Sequence, residues 1–440
     1  MKKCFLVFTL LAFSSLAVAQ KIDFELYTLD NGMDVILHQD NKAPVISIGV
    51  MYHVGAKDET EGRTGFAHFF EHLLFEGTKN IERGKWFDIV SSNGGSNNAN
   101  TTQDRTYYYE VFPSNNLELA IWMESERLYH PIIEQVGVDT QNEVVKEEKR
   151  TRIDNQPYGA VAYGMAIDKY LFNKHPYKDP VIGTMEDLDA AKLEEFIQFK
   201  EKYYVPNNAT LVLAGDFQTD EAKRLIDLYF GSIPKGKDVP RLAVKEDPIT
   251  ENITATEFDN NIQIPLKIIA FRTPGFKERD AYVLNMISSV LTDGSSSRMY
   301  KRMVEDEKVA LQVLAFPRAQ EDYSVFTMGA LPLGDVSLDK LTDIINEEIV
   351  KLQTDLISDK EYQKLQNKFE NRFVSSNSSV NGIASSLATY HMLYGDANLI
   401  NSEIDIYRSI TKKEIREVAR KYLNKNQRLD LNYLPTPESN

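Results

Sequence analysis

Hydrophobic and polar residues alternate along the chain in short runs that predict an α+β fold. Between residues 23 and 55 the alternation has the period of β-strands, and ISIGVMYHV (46–54) has the length of a buried strand. The apolar sequence after the glycine loop at 62–65 predicts a helix that reaches Phe75. Further along, strands are predicted at 101–112 and 209–217, and helices at 117–128, 139–154 and 220–230.

The second half of the chain repeats this order of elements. The helix at 139–152 has a counterpart at 358–373, and the helix followed by YYVPNNATLVLAGDF has one in the helix followed by YLNKNQRLDLNYLP. We infer two homologous units, each an antiparallel or mixed sheet packed against helices. The first spans residues 20–231, a linker rich in Pro, Lys and Asp spans 232–261, and the second unit spans 262–440.

The first nineteen residues have the pattern of a secretory signal peptide. Lys2 and Lys3 precede an apolar run, and Ala17-Val18-Ala19 fits the small-residue cleavage rule, so we expect cleavage after Ala19. The alternative, a membrane anchor, needs about 20 apolar residues to cross a bilayer, and this run is shorter. No later segment offers such a run, so no membrane span is expected.

Composition narrows the possible functions and metal ligands. The net charge of −15 is a poor match for a phosphate backbone, so nucleic-acid binding is not expected. A single cysteine, in the signal segment, excludes both a disulfide framework and a cysteine-based zinc site. Any bound metal must therefore be held by His, Asp or Glu.

The most specific motif is HFFEH, which contains His68, Glu71 and His72. An offset of four residues on a helix turns about 40° and rises about 6 Å, so both imidazoles share one face and can bind one metal ion. Glu71 lies beside that face and can accept a proton from a metal-bound water. This order of residues is the inverted zinc-peptidase motif.

A catalytic zinc ion takes three protein ligands as a rule, so a third ligand is expected elsewhere in the chain. The helix predicted at 139–154 offers Glu143, Glu147 and Glu148. Spacing alone does not choose among these three carboxylates.

HFFEH followed by this acidic helix resembles the pitrilysin/insulinase family of zinc peptidases. Further similarities are the glycine pair at 94–95, NANTTQDRTYYY (98–109) and EEKRTRIDNQPYG (147–159). The resemblance implies that two units form one half of a clamshell and that one zinc ion is held by His68, His72 and Glu148. It also places Gln141 at a position where the family has an accessory acid. Glutamine there is a departure that weakens the polar surroundings of the ligands.

The same resemblance implies metal-assisted peptide hydrolysis. Zinc lowers the pKa of its water, and Glu71 takes the proton as general base and passes it to the leaving amine. The substrate is expected to lie as an added strand along Asn98, Ala99, Asn100 and Thr101. The alternative for these four residues is a polar loop that caps a strand.

A second departure concerns the unit that faces the zinc unit across the chamber. The family places a substrate-binding arginine and tyrosine there, and the corresponding positions of this chain carry Val304 and Leu311. Arg298, Tyr300 and Arg302 lie nearby, out of register, and are expected to be surface or packing residues. We therefore expect a dimer, either a homodimer or a heterodimer with a related chain that lacks the zinc motif and supplies the Arg/Tyr clamp.

Two functions of different classes follow from the sequence. The first is a zinc metalloendopeptidase, secreted across the inner membrane into the periplasm, that hydrolyses peptides or unfolded polypeptide segments. The second is a non-catalytic scaffold or binding subunit of the same fold. The complete set of His68, Glu71, His72 and Glu148 favours the first, because a scaffold has no need of a base beside metal ligands.

Overall fold

Two β-sheets, each covered by helices, form the framework of the protein in a computed structural model that describes residues 21–437. The expected signal peptide at 1–19 lies outside the described residues. Among those residues, every helix is too short or too polar to cross a membrane.

The first sheet has six strands in the order β1-β2-β6-β3-β5-β4. Strands β2 and β6 are parallel and the other pairs are antiparallel. The strands are β1 (Glu25–Thr28), β2 (Asp34–Gln39), β3 (Val45–Tyr52), β4 (Ser96–Thr101), β5 (Thr106–Pro113) and β6 (Ala209–Gly215).

Nine α-helices accompany this sheet within the described residues 21–230. They are α1 (Phe66–Leu73), α2 (Trp86–Ser92), α3 (Leu117–Tyr129), α4 (Gln135–Lys149), α5 (Gly159–Ala162), α6 (Met165–Leu171), α7 (Met185–Ala190), α8 (Leu193–Tyr203) and α9 (Thr219–Phe230). A π-helical turn, Arg150–Asp154, extends α4.

The second sheet has five strands in the order β7-β11-β8-β10-β9, with β7 and β11 parallel. Its strands are β7 (Ile253–Asp259), β8 (Leu266–Pro274), β9 (Ala310–Arg318), β10 (Tyr323–Pro332) and β11 (Leu429–Pro435). Its helices are α10 (Arg279–Thr292), α11 (Leu338–Thr354), α12 (Asp359–Ser376), α13 (Val380–Thr389), α14 (Leu399–Ser409) and α15 (Lys412–Tyr422).

The two sheets share one topology. In each, the last strand lies between a parallel and an antiparallel partner: β6 between β2 and β3, and β11 between β7 and β8. Three strands then complete each sheet in the corresponding order, β3-β5-β4 in the first and β8-β10-β9 in the second. The predicted α+β fold with two homologous units is confirmed, and α4 corresponds to α12 as the sequence indicated.

The predicted strand at 101–112 is instead part of a β-hairpin. β4 ends at Thr101 and β5 begins at Thr106. The Thr102 hydroxyl accepts hydrogen bonds from the backbone N–H groups of Asp104 and Arg105, which closes the turn. The stretch expected as a linker, 232–261, holds an irregular segment at 232–252 and then β7.

Each sheet is also covered by helices from the other unit. Ile167 and Leu171 of α6 pack into one core with Ile268 of the second sheet. In the reverse direction, Ile383 and Leu387 of α13 share a core with Met51 and Val212 of the first sheet. The units are therefore held together by two apolar cores, which periodicity within either half does not reveal.

A buried ionic cluster, made of Lys57, Asp104, Glu321 and Asp322, also joins the units. Lys57 Nζ lies 3.0 Å from Asp104, 2.8 Å from Glu321 and 3.1 Å from Asp322. Burial alone would raise the pKa of Glu321, but the hydrogen bond from His53 and the charge of Lys57 hold it well below its usual range. Because this pKa is lower in the folded protein, Glu321 stabilises the fold above about pH 4 and loses that contribution as the pH falls further.

We predict that Lys57→Met lowers the free energy of unfolding at pH 7 by about 3–5 kcal/mol, because it leaves three carboxylates without their buried cation. Lys42→Met is the matched control, since Lys42 pairs with Asp40 on the surface and its side chain is 66% exposed. Denaturant unfolding of the three proteins measures the difference. Equal losses in the two variants would contradict a role for the cluster in stability.

Candidate metal centre

Helix α1 carries the HFFEH motif and is fixed at its N-terminus and along its apolar face. Gly65 precedes it with φ at +88°, and a β-carbon there would overlap the backbone at 182–183. The buried carboxylate of Glu59 accepts hydrogen bonds from the backbone N–H groups of Gly65 and Ala67, so the start of the helix is capped. Phe66 and Phe69 stack against Phe196 of α8, with ring centroids 4.5 and 4.6 Å apart.

This packing directs the other face of α1 towards α4. His68 and His72 lie on successive turns of the helix, both on that face, as the spacing of four predicts. On α4, Gln141 and Glu148 are seven residues apart, about two turns, and both face α1. Of the three carboxylates that the sequence offered as third ligand, Glu148 is the one that meets the histidines.

The three side chains converge on a single point. One ligand atom from each of His68, His72 and Glu148 lies within 4.8 Å of the others. Glu148 Oε2 is 3.4 Å from His68 Nε2 and 3.2 Å from His72 Nε2. Two ligands held about 2.1 Å from a tetrahedral zinc ion stand roughly 3.4 Å apart. The donor set therefore fits zinc in both chemistry and spacing.

The protonation states of His68 and Glu148 also suit metal binding. Burial and the neighbouring His72 lower the pKa of His68 to about 4, so its imidazole is neutral at pH 7. Burial opposes ionisation of Glu148, but the neighbouring His72 and His68 and the charge of Arg152 lower its pKa overall. A neutral imidazole and an ionised carboxylate are the forms that bind a metal.

Gln141 forms hydrogen bonds with both His72 and the carboxylate of Glu76. Nδ1 of His72 donates to Gln141 Oε1 over 3.2 Å, which leaves the Nε2 lone pair facing Glu148. The Gln141 amide then donates to Glu76, and Glu76 pairs with Arg83. A carboxylate thus orients His72 through one intervening amide, in place of the acid expected at position 141.

Glu71 lies beside the ligands and faces strand β4. Its Oε2 accepts a hydrogen bond of 2.6 Å from the Thr101 hydroxyl. Burial raises the pKa of Glu71, against the opposing effect of that hydrogen bond. The carboxyl is therefore a stronger base than an exposed glutamate, as a proton acceptor near neutral pH requires.

Residues 98–101 form most of strand β4 and not a capping loop. Within the described residues β4 pairs only with β5, so its other edge carries unpaired backbone groups. A cleft of about 600 Å³ runs along that edge. It is lined by Glu71, the three converging side chains, Gln141 and all four of Asn98, Ala99, Asn100 and Thr101.

The second unit places Val304 and Leu311 away from this cleft. Val304 lies in the π-helical segment Tyr300–Asp306 and packs on the core of the second unit. Leu311 is on β9, and its side chain is 46% exposed. Arg298 pairs with Glu361, and Arg302 pairs with glutamates 307, 347 and 348, so both act in surface packing.

Several residues of the site were missed from the sequence. Arg152 binds Glu148 Oε1 at 2.8 Å, and its spacing of four from Glu148 on a helix is a signal that could have found it. Glu76 carries no such local signal, because it meets Gln141 through tertiary packing. Arg105 reaches Asn100 across the hairpin turn, which the sequence did not predict. Two aromatic side chains that line the cleft, Phe87 and Tyr163, were also missed.

Comparison with known proteins agrees with this geometry. Residues 34–185 match the family model described as Insulinase (Peptidase family M16), and residues 190–369 match the model described as Peptidase M16 inactive domain. The second match lies wholly beyond Glu148, so it includes none of the converging residues.

Individual relatives cover nearly the whole chain. Zinc protease PqqE of Helicobacter pylori is 30% identical over 369 residues, which are 83% of this chain and 83% of that protein. An uncharacterized zinc protease of Bacillus subtilis, YmxG, is 23% identical over 92% of this chain and 97% of its own length.

Solved structures show the same fold. A protease from Helicobacter pylori superposes with a TM-score of 0.88 at 27% identity, over 93% of this chain and 99% of that one. Pitrilysin, at 17% identity and a TM-score of 0.78, is matched over 96% of this chain and 47% of its own. The chain thus has the fold of one half of a clamshell. Together with the metal-ligand geometry, these matches establish that the chain belongs to the insulinase family of peptidases, M16.

Proposed function

We propose that this protein is a secreted zinc endopeptidase that hydrolyses peptides or unfolded polypeptide segments. The observation that carries the proposal is the convergence of His68, His72 and Glu148 beside Glu71, at the open edge of a strand. Relatives of the chain are named zinc proteases, which supports the choice of metal and reaction class.

His68, His72 and Glu148 would hold the metal, with Gln141 orienting His72. When bound, zinc would polarise the scissile carbonyl and lower the pKa of a coordinated water towards about 7. Glu71 would accept the proton of the attacking water and return it to the leaving amine. The hydrogen bond from Thr101 keeps the Glu71 carboxylate in place for both transfers.

Strand β4 would bind the substrate as an added antiparallel or parallel strand. Its unpaired N–H and C=O groups offer hydrogen bonds that any peptide backbone can make, whereas a folded protein rarely presents a free strand. This favours flexible peptides as substrates. We further propose export to the periplasm, on the strength of the signal pattern at 1–19.

The first prediction of this proposal concerns the third metal ligand. Glu148→Gln should bind much less zinc than the expected one ion per chain, because a neutral amide is a poor ligand. Glu147→Gln is the matched control, since the adjacent Glu147 pairs with Arg150 on the surface and is 66% exposed. Metal analysis after dialysis measures both. Equal zinc contents in the two variants would exclude Glu148 as a ligand.

The second prediction separates the base from the ligands. Glu71→Gln should keep its zinc and lose about 10²- to 10⁴-fold in kcat/KM on a quenched peptide library, because only the proton acceptor is removed. Glu82→Gln, a substitution at an exposed position, should cleave like the unaltered protein. The non-catalytic scaffold is the better description if the zinc-loaded protein cleaves nothing, alone or with its partner.

The third prediction concerns that partner. Because Val304 and Leu311 stand where the family has its clamp, we propose a heterodimer with a related chain that carries the arginine and tyrosine and lacks the zinc motif. Purification from the native source should yield two bands of similar size on a denaturing gel. A single species that cleaves peptides by itself would contradict the heterodimer and favour a homodimer.

A further inference from the structure

A second cavity, of about 350 Å³, adjoins the cleft of the metal centre and lies between the two units. Tyr163 and Val181 line both spaces, so the cavity and the cleft are neighbours. The first unit contributes the turn at 102–105, directly after strand β4, and the second contributes residues 318–320 at the end of β9. A peptide that leaves the end of β4 at Thr101 would therefore reach this cavity.

Arg105 lines the cavity without an ionic partner. Its Nη1 donates to the backbone carbonyl of Asn100 at 2.9 Å and to the Asn100 side chain, yet within residues 21–437 every carboxylate is more than 4.0 Å away. The nearby carboxylates are already engaged: Glu71 by Thr101, and Asp104 by Lys57. A guanidinium stays charged at all accessible pH values, so Arg105 is a partly buried cation on which Glu71 and Asp104 act from a distance, without a direct ion pair.

A second guanidinium, that of Arg318, lines the same cavity. It pairs with the buried Asp168 and lies over Gly164, where a β-carbon would overlap Nη1. Gly164 has φ at +80°, a conformation that further favours glycine. A side chain at position 164 would therefore displace the Arg318 guanidinium.

Buried polar atoms of the lining residues are also left without partners. They are Nε of Arg318 and the amide oxygens of Gln103 and Gln320, judged within the part of the chain that the structure describes. Each such atom costs free energy unless a ligand or water completes its hydrogen bonds. These atoms make the wall of the cavity polar beside its two guanidinium groups.

We propose that this cavity binds a carboxylate of the peptide substrate, with Arg105 as the principal contact and Arg318 beside it. The carboxylate is that of an acidic side chain or of the peptide's C-terminus. The inference rests on the proposed peptidase function and adds a preference for substrate chemistry to it.

The test compares peptides that differ only in charge. A quenched peptide is varied from Gln to Glu at each of several positions on both sides of the scissile bond, with a free or an amidated C-terminus. We expect kcat/KM of the zinc-loaded protein to be about tenfold higher or more for the acidic peptide at one position, or for the free acid, since charge-assisted hydrogen bonds are the strong ones. The position of the effect distinguishes a side chain from a terminus.

Variants then assign the effect. Arg105→Gln should bring the acid-to-amide ratio close to one, Arg105→Lys should retain part of it, and Arg318→Gln should reduce it. Arg298→Gln is the control, because Arg298 pairs with Glu361 elsewhere in the second unit and should leave the ratio unchanged. If Arg105→Gln lowers cleavage of both peptides equally, Arg105 only supports β4 through Asn100 and the proposal is wrong.

A binding measurement keeps the inference separate from the peptidase function. Affinities of the same peptide pairs for Glu71→Gln protein, by fluorescence anisotropy, should show the same preference for the carboxylate. If the unaltered protein cleaves no peptide while this preference is present, the peptidase proposal fails and the carboxylate site stands. If neutral peptides are cleaved and no acidic position or free terminus changes either binding or cleavage, the carboxylate site is excluded.

Discussion

The site depends on the close approach of helices α1 and α4. The burial of one face of α1 sets this approach: Phe66 and Phe69 pack on α8, and the opposite face is left to meet α4. Because the aromatic face is buried in a close-packed core, the helix has little freedom to rotate or slide. The two histidines are thereby held 3.4 and 3.2 Å from Glu148, at the spacing that three ligands of one metal ion require.

Features that depend on residues close together in the sequence could be predicted, and features that depend on tertiary contacts could not. The helix with His68 and His72, and the repeated order of elements, depend on local spacing and were predicted correctly. The turn at 102–105 was predicted as the start of a strand at 101–112, because it is closed by side-chain bonds of Thr102 and has no glycine or proline. Spacing left Glu143, Glu147 and Glu148 open as third ligand, since only the packing of α4 on α1 decides which of them faces the histidines.

Interactions between distant parts of the chain could not be predicted in this way. The exchange of α6 and α13 between the two sheets, and the contact of Lys57 with Glu321, join residues that are from about 100 to more than 300 positions apart. The role of Gln141 also depends on a distant contact. In the sequence it replaces the acid of the family, whereas in the fold it connects His72 to the carboxylate of Glu76. The second unit thus serves as more than a repeat, because it completes the core of the first and closes the cavity beside the metal centre.

The central claim is that three residues from two helices bind one zinc ion. The most direct test is a crystal structure of the zinc-loaded protein with anomalous diffraction recorded on both sides of the zinc absorption edge. We expect a single anomalous peak about 2.1 Å from Nε2 of His68, Nε2 of His72 and a carboxylate oxygen of Glu148. A protein that takes up no zinc, or a peak at another position, would contradict it.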